Sequence, residues 1–264
     1  MTEIPNLGLG TWQNTNPEEC SKAVKKALEM GYKHIDTAQI YENEEHVGEG
    51  LAAADVDRED YFLASKVWID QLAPENVKSS TKESLDKLGV DSVDLMYIHW
   101  PSGDYQPQET LKAFKELIHS GEIKNIGISN FTPGQVDKAM EIAPEHIIAN
   151  QVEMHPLLQQ DELLEKCREH GITLVAYSPL ARGKVFEIEE LNEIAEKHGV
   201  SEAQVSLAWL MQKDGVVAIP KATGEDHIRD NYQAQDLELD KEDIKKIESI
   251  DREERMVDPD FAPW

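Results

Sequence analysis

Leu85-Asp86-Lys87-Leu88-Gly89-Val90-Asp91-Ser92-Val93-Asp94-Leu95-Met96-Tyr97-Ile98-His99 holds one copy of the unit from which this chain is built. A helix ends, a glycine stops it, a short apolar run follows, and the run closes on a group able to move a proton. Val77, Thr81, Leu85 and Leu88 recur on one helical face, and Gly89 stands where a left-handed residue would terminate the helix. Leu95-Met96-Tyr97-Ile98 shows no polar alternation, as expected of a strand covered on both faces. A titratable side chain at the end of such a strand costs burial free energy, so a chain that repeats the arrangement is assembling a site.

The unit recurs in both directions. His34-Ile35-Asp36 leads on to Tyr41, and Phe62-Leu63-Ala64-Ser65 ends at Lys66. Gly31, Gly121, Gly171 and Gly199 are further helix stops, while Asn16-Pro17-Glu18-Glu19 and Thr132-Pro133 read as an N-cap followed by proline at the first helical position. Ile188, Leu191 and Ala195 repeat the helical spacing. Strands are expected near 33–36, 61–66, 94–99, 124–128, 147–151, 173–177, 216–220 and, with the weakest pattern, 233–237. Eight strands separated by helices predict a single-domain (β/α)8 TIM barrel over residues 1–264, close to the ~250 residues such barrels commonly occupy. No GxGxxG follows the first strand, so the Rossmann dinucleotide fingerprint is missing. A parallel barrel gathers its strand ends at one rim, where such folds carry their chemistry.

Charge narrows the partners. Lys+Arg 26 against Asp+Glu 52 gives 26 − 52 = −26, which excludes nucleic acid and an anionic membrane surface as expected partners, because phosphate attraction needs a basic face. The acid is dispersed along the chain. Such a surface suits a halophilic protein kept soluble in a salt-accumulating cytoplasm, and equally an ordinary acidic enzyme. Cys20 and Cys167 show no metal-ligand spacing and read as reduced structural thiols. Neither a signal peptide nor a membrane span is seen, so the expected location is cytoplasmic. No metal is expected.

Continuing along the rim adds Ser129-Asn130, Gln151, Tyr177-Ser178 and Lys221. Any one of these could be packing or a core ion pair; nothing about packing requires the whole series. The series resembles the aldo-keto reductases. Gly31-Tyr32-Lys33-His34-Ile35-Asp36-Thr37-Ala38-Gln39-Ile40-Tyr41-Glu42-Asn43-Glu44 is similar to that family's signature around its catalytic Asp and Tyr. Ser65-Lys66-Val67-Trp68, Tyr97-Ile98-His99-Trp100-Pro101, Gly127-Ile128-Ser129-Asn130-Phe131, Asn150-Gln151-Val152-Glu153, Ala176-Tyr177-Ser178-Pro179-Leu180 and Ile219-Pro220-Lys221 resemble its later motifs in order. The likeness spans nearly the whole chain.

The resemblance implies a nicotinamide-dependent reductase of aldehydes and ketones with Asp36, Tyr41, Lys66 and His99 as its catalytic set. The residue chemistry agrees. Hydride transfer to a carbonyl leaves an alkoxide to be protonated, and a phenol with an ordinary pKa of about 10 is a weak acid unless assisted. Lys66 is expected to lower the pKa of Tyr41, Asp36 to pair with Lys66, and His99 to orient the substrate oxygen.

For the cofactor, the resemblance implies stacking on Tyr177, carboxamide contacts from Ser129, Asn130 and Gln151, and a pyrophosphate path along Ser178 and Leu180. At the adenosine end this chain departs from the family pattern. Ala222 and His227 stand where the family has a hydroxyl residue and an arginine, with Lys221, Thr223 and Arg229 close by and Asn231 at the adenine position. NADPH is the expected cofactor, with NADH the alternative. Trp12, Trp68 and Trp100 fall at the family's substrate-pocket positions, and Met256 to Trp264 has the composition of a short loop over the mouth. The expected protein is a monomer acting on small carbonyl compounds. The competing reading is a nicotinamide-binding redox sensor or regulatory subunit with little turnover. A barrel hydrolase or isomerase would need a metal cluster or a carboxylate pair, which Glu153 alone does not supply.

Overall fold

Parallel strands β1 (Leu9–Gly10), β2 (His34–Asp36), β3 (Phe62–Val67), β4 (Leu95–Ile98), β5 (Ile126–Ser129), β6 (Ile147–Glu153), β7 (Thr173–Tyr177) and β8 (Val216–Ala218) pair in chain order in one eight-stranded sheet. The structure, a computed structural model, describes residues 3–264. The sheet closes because Gly8 N–H donates to Ala218 C=O at 2.9 Å, Ala218 N–H to Asn6 C=O at 2.9 Å, and Gly10 N–H to Pro220 C=O at 3.0 Å. Gly10 is needed at this seam, where a Cβ would stand 2.9 Å from the Ile219 carbonyl oxygen. Helices α1 (Pro17–Met30), α2 (Glu44–Ala53), α3 (Pro74–Leu88), α4 (Pro107–Ser120), α5 (Pro133–Ile142) and α6 (Asp161–Glu169) follow the first six strands. Both α7 (Glu189–His198) and α8 (Glu202–Gln212) lie between β7 and β8, and α9 (Glu225–Gln233) and α10 (Lys241–Glu248) complete the chain.

One expected strand is corrected. Residues 233–237 are not a strand: Gln233 ends α9 and Ala234–Asp236 form a 3-10 turn. The eighth strand is instead Leu9–Gly10, in register with Ile35 and Asp36. Two residues are too few to leave a period-2 pattern, and this strand exists only because its neighbours on both sides supply hydrogen-bond partners.

The helix boundaries follow local chemistry. Asn16 caps α1 by accepting the Glu19 N–H at 3.1 Å, and Gly31, Gly89, Gly121 and Gly199 take up positive φ just past their helices. Gly171 comes one residue later, after His170 caps α6. Thr132 and Gln135 form a capping box at α5.

Successive strand residues face opposite sides, so each strand serves two cores. Phe62, Ala64, Leu95, Tyr97, Val175, Val217 and Ile219 fill the barrel lumen, while Ile35, Leu63, Met96, Ile98, Leu174, Ala176 and Val216 pack under the helices. Gly127 leaves room for the Tyr97 ring, whose Cδ1 would be 2.2 Å from a Cβ there. The lumen column continues upward two residues at a time: His34 to Asp36, Ala64 to Lys66, Tyr97 to His99, Val175 to Tyr177 and Ile219 to Lys221. The reactive groups are therefore the topmost inward positions of strands whose lower inward positions are core.

Candidate active site

Above the lumen opens a cavity of about 650 Å³ whose wall includes Asp36, Tyr41, Trp68, His99, Trp100, Asn130, Gln151, Tyr177 and Lys221. Lys66 is fully buried beneath it. Its ammonium pairs with Asp36, donates to the Thr37 carbonyl at 2.8 Å, and lies 5.1 Å from the centre of the Tyr41 ring. Gln151 Nε2 donates to the other Asp36 oxygen at 2.8 Å, so both carboxylate oxygens are held. The Tyr41 ring stands edge-on to His99 at 5.8 Å between centroids, and Trp68 meets His99 the same way at 5.0 Å. Asp36, Tyr41, Lys66 and His99, named from three separate segments of sequence, thus meet in one place.

The electrostatics run against one expectation. Burial, and after it the Asp36 carboxylate, pushes the Tyr41 phenol well above its ordinary pKa. Lys66 does not make Tyr41 a strong acid here, because its charge is matched by Asp36 and burial itself draws the Lys66 ammonium down while Asp36 holds it up. Tyr41 therefore keeps its proton throughout the neutral range. Burial and then the Lys66 charge hold the His99 imidazole well below its ordinary pKa, so this ring is neutral. A protonated phenol and a neutral imidazole share one wall of the cavity, and the Tyr41 hydroxyl has no hydrogen-bond partner among the described residues.

Another part of the wall is a supported aromatic shelf. Tyr177 donates its hydroxyl hydrogen to Asn130 Oδ1 at 2.9 Å, and Asn130 Nδ2 donates to the His99 carbonyl at 3.0 Å and to Ser129 Oγ at 3.1 Å. Ser129 in turn donates to the Gln151 carbonyl at 2.8 Å and is buried outside the cavity wall, supporting Asn130 from behind. Asn130 and Ser178 adopt positive φ, as do Gln13, Glu42 and Arg182; these five of the seven non-glycine residues in that region line the cavity. Backbone in this sparsely populated region is retained where surrounding contacts over-determine it, which is typical of functional sites.

A nicotinamide fits this donor set. Tyr177 offers a half-buried ring face, and the Gln151 amide oxygen, its nitrogen already engaged by Asp36, is an acceptor for a carboxamide. Ser178 and Lys221 line the same cavity, whereas Leu180 packs against the outer core instead. Thr223, His227 and Arg229 lie outside the cavity wall, Thr223 just before α9 and the other two exposed within it, and Asn231 is buried in the second half of that helix. Arg229 pairs with Glu225 at 2.9 Å, while Lys221 forms no ion pair among the described residues. Among those residues, no group of three or more His, Cys, Asp or Glu is placed to hold a metal ion.

Trp12, Trp68 and Trp100 all line the cavity. The C-terminal segment completes it: Met256, Val257, Asp258, Pro259 and Phe261 line the wall, and Phe261 meets Trp100 at 5.3 Å and Trp68 at 6.0 Å. Ile40 and Glu42 belong to the signature segment and border the same space, but only the fold turns them toward it. Arg182, which lies over the Trp12 ring at 4.7 Å, carried no signal in the sequence at all. Its place comes from the turn of positive-φ residues after β7.

Comparison with known proteins agrees with this layout. The Aldo/keto reductase family profile matches residues 6–252. The chain is 42% identical over 254 residues to the glyoxal reductase of Bacillus subtilis, covering 96% of this chain and 91% of that protein. It is 41% identical over 264 residues to a methylglyoxal reductase of Escherichia coli O157:H7, covering 98% of each. The crystal structure of an aldose reductase from Giardia lamblia superposes with a TM-score of 0.92 at 31% identity, over 98% of this chain and 96% of that one.

Proposed function

The chain belongs to the aldo/keto reductase family, and from that membership we propose that it reduces small aldehydes, ketones and dicarbonyl compounds with NADPH, Tyr41 acting as the general acid. The observation that carries the reading is the convergence of Asp36, Tyr41 and His99 on the wall of the cavity that Tyr177 also lines, with Lys66 paired to Asp36 beneath them. A bound reduced nicotinamide supplies the hydride that adds to the carbonyl carbon. Tyr177, Asn130 and Gln151 would hold its ring and carboxamide, and Ser178, Lys221 and Thr223 its phosphates.

The substrate oxygen lies between the Tyr41 hydroxyl and the His99 ring. Neutral His99 donates a hydrogen bond that fixes the oxygen and stabilises the charge developing on it. Tyr41 then passes its proton to the alkoxide. A raised phenol pKa does not prevent this step, because an alkoxide is a far stronger base than a phenolate; what matters is that Tyr41 is still protonated when the alkoxide forms. Lys66, fixed by Asp36 and the Thr37 carbonyl, faces the resulting phenolate and limits its cost. Trp12, Trp68, Trp100 and Phe261 exclude water from the reacting carbon and offer apolar walls to the rest of the substrate.

NADPH follows from Lys221 and Thr223, which leave a cation and a hydroxyl for a 2′-phosphate. A specific observation favours NADH as the second reading: Glu225 engages Arg229, and both Glu225 and Asp226 stand in the first turn of α9, where they oppose an added phosphate. The test is to follow oxidation of NADPH and of NADH by the purified chain with methylglyoxal, glyoxal and simple ketones. Carbonyl-dependent oxidation supports the reading. Cofactor binding with no turnover of any carbonyl would overturn it in favour of a nicotinamide-binding sensor.

A further inference from the structure

Glu153 ends β6 with its side chain fully buried, and no lysine or arginine among the described residues pairs with it. Three donors converge on its carboxylate instead. Oε1 accepts the Met256 N–H at 2.6 Å and the His155 ring nitrogen Nε2 at 2.8 Å, and Oε2 accepts the Val257 N–H at 2.9 Å. A carboxylate only accepts, so His155 must carry its hydrogen on Nε2, which leaves the buried Nδ1 without a partner, as observed. Met256 and Val257 open the segment that forms one side of the cavity, and the wall continues through Asp258 and Pro259 to Phe261 on Trp68 and Trp100. The contacts just upstream are separate: the Glu254 N–H donates to the Leu157 carbonyl at 2.8 Å, and Lys184 pairs with the Glu254 side chain. Glu153 therefore anchors the start of this segment, at Met256 and Val257, to the barrel, while Phe261 packs on the rim further along.

We propose that Glu153 is a positioning residue that clamps the C-terminal segment onto the barrel rim and thereby sets the affinity for the carbonyl substrate. The proposal rests on the reductase reading for its kinetic consequence, though the clamp itself does not. Only a carboxylate meets the geometry. An amide of the same shape keeps one acceptor oxygen but turns an NH2 group toward a donor, so Glu153→Gln releases at least one of the two segment amides.

The test compares the full-length wild type with Glu153→Gln. The KM for methylglyoxal is expected to rise about tenfold, the effect of losing one charge-assisted hydrogen bond, with kcat and the Kd for NADPH each within about twofold. Trypsin is expected to cut after Arg255 about tenfold faster in the variant, a readout that needs no turnover. Val257→Pro removes one donor from the segment's side and leaves the barrel untouched, so it serves if Glu153→Gln does not fold, and the same rise in KM and in cleavage is expected from it. Combined, the two substitutions should cost little more than either alone, because they break one contact. An unchanged KM with unchanged trypsin resistance in either variant would overturn the proposal. So would full additivity of the pair, which would place the effect of Glu153 elsewhere, as at its strand neighbour Tyr177. A wild type inert toward every carbonyl would defeat the reductase reading alone, with trypsin still reporting on the clamp.

Discussion

The ammonium of Lys66 faces the ring of Tyr41 at 5.1 Å while its hydrogen bonds go elsewhere, to Asp36 and to the Thr37 carbonyl. Lys66 is thus pinned by its other partners and presents its charge to the phenol without touching the hydroxyl. Before proton transfer the Asp36 charge offsets that of Lys66 at Tyr41. In the proposed reaction, where the phenol gives up its proton, the nearby cation would limit the energy of the phenolate in a site that burial has made weakly screening.

Tyr41→Phe removes the only hydroxyl on the tyrosine that faces His99 and deletes no packing contact of the ring. Turnover of carbonyl substrates is expected to fall by roughly a hundredfold to ten-thousandfold, the range for loss of a general acid, with the Kd for NADPH little changed. Steady-state rates and fluorescence titration check both halves. A variant that retains wild-type rates would assign the proton to another group.

The pH profile of carbonyl reduction follows from the two pKa directions. Tyr41, raised, stays protonated until pH passes above its ordinary value of about 10, and His99, lowered, stays neutral until pH falls below its ordinary value of about 6.5. The kcat/KM for reduction is expected to be flat between those limits. The reverse oxidation of alcohols needs the phenolate and should climb with pH across the same interval. A reductive profile that falls between pH 7 and 9 would show that the phenol is acidified after all.

His227 is exposed at the start of α9, near Lys221 and Thr223 in sequence and beside an Arg229 already paired with Glu225. His227→Arg is expected to raise the ratio of kcat/KM for NADPH over that for NADH by roughly twofold to fivefold, the range of a solvent-exposed ion pair. Measuring both constants with one substrate decides it; an unchanged or reversed ratio removes His227 from the phosphate site.

At the other end of the lumen, His34 is fully buried, and burial pushes its pKa down to about 4. The unfolded chain takes up this proton near pH 6.5, whereas the folded chain does so only near 4, so stability falls as pH drops through that window. The loss attributable to His34 is of order 3 kcal/mol at the acid end. His34→Leu is expected to flatten the fall in Tm between pH 6.5 and 4, and an unaltered slope would show that other groups govern it.

The barrel and its reactive rim were legible in the sequence because both are written in local periodicities. Helical faces at Val77, Thr81, Leu85 and Leu88, the glycine stops and the unbroken apolar strands mark the alternation, and the groups that end those strands are the next inward step of the same period. Asp36, Lys66, His99 and Tyr177 were found for that reason. The eighth strand was misplaced because Leu9–Gly10 is too short to carry any period and is made by its partners.

Other features required closure of the fold. Gln151 reaches Asp36 across 115 positions of sequence and Met256 reaches Glu153 across 103, and no local pattern encodes a hydrogen bond between segments so far apart. The direction of the Tyr41 pKa belongs here too, since it depends on how deeply the phenol is buried and on which charge Lys66 already answers. The order of residues determined which side chains face inward and at what height, because a strand alternates its faces without regard to what surrounds it. Only the folded barrel decided what those side chains meet, because desolvation and long-range hydrogen bonds exist once distant strands have been brought together.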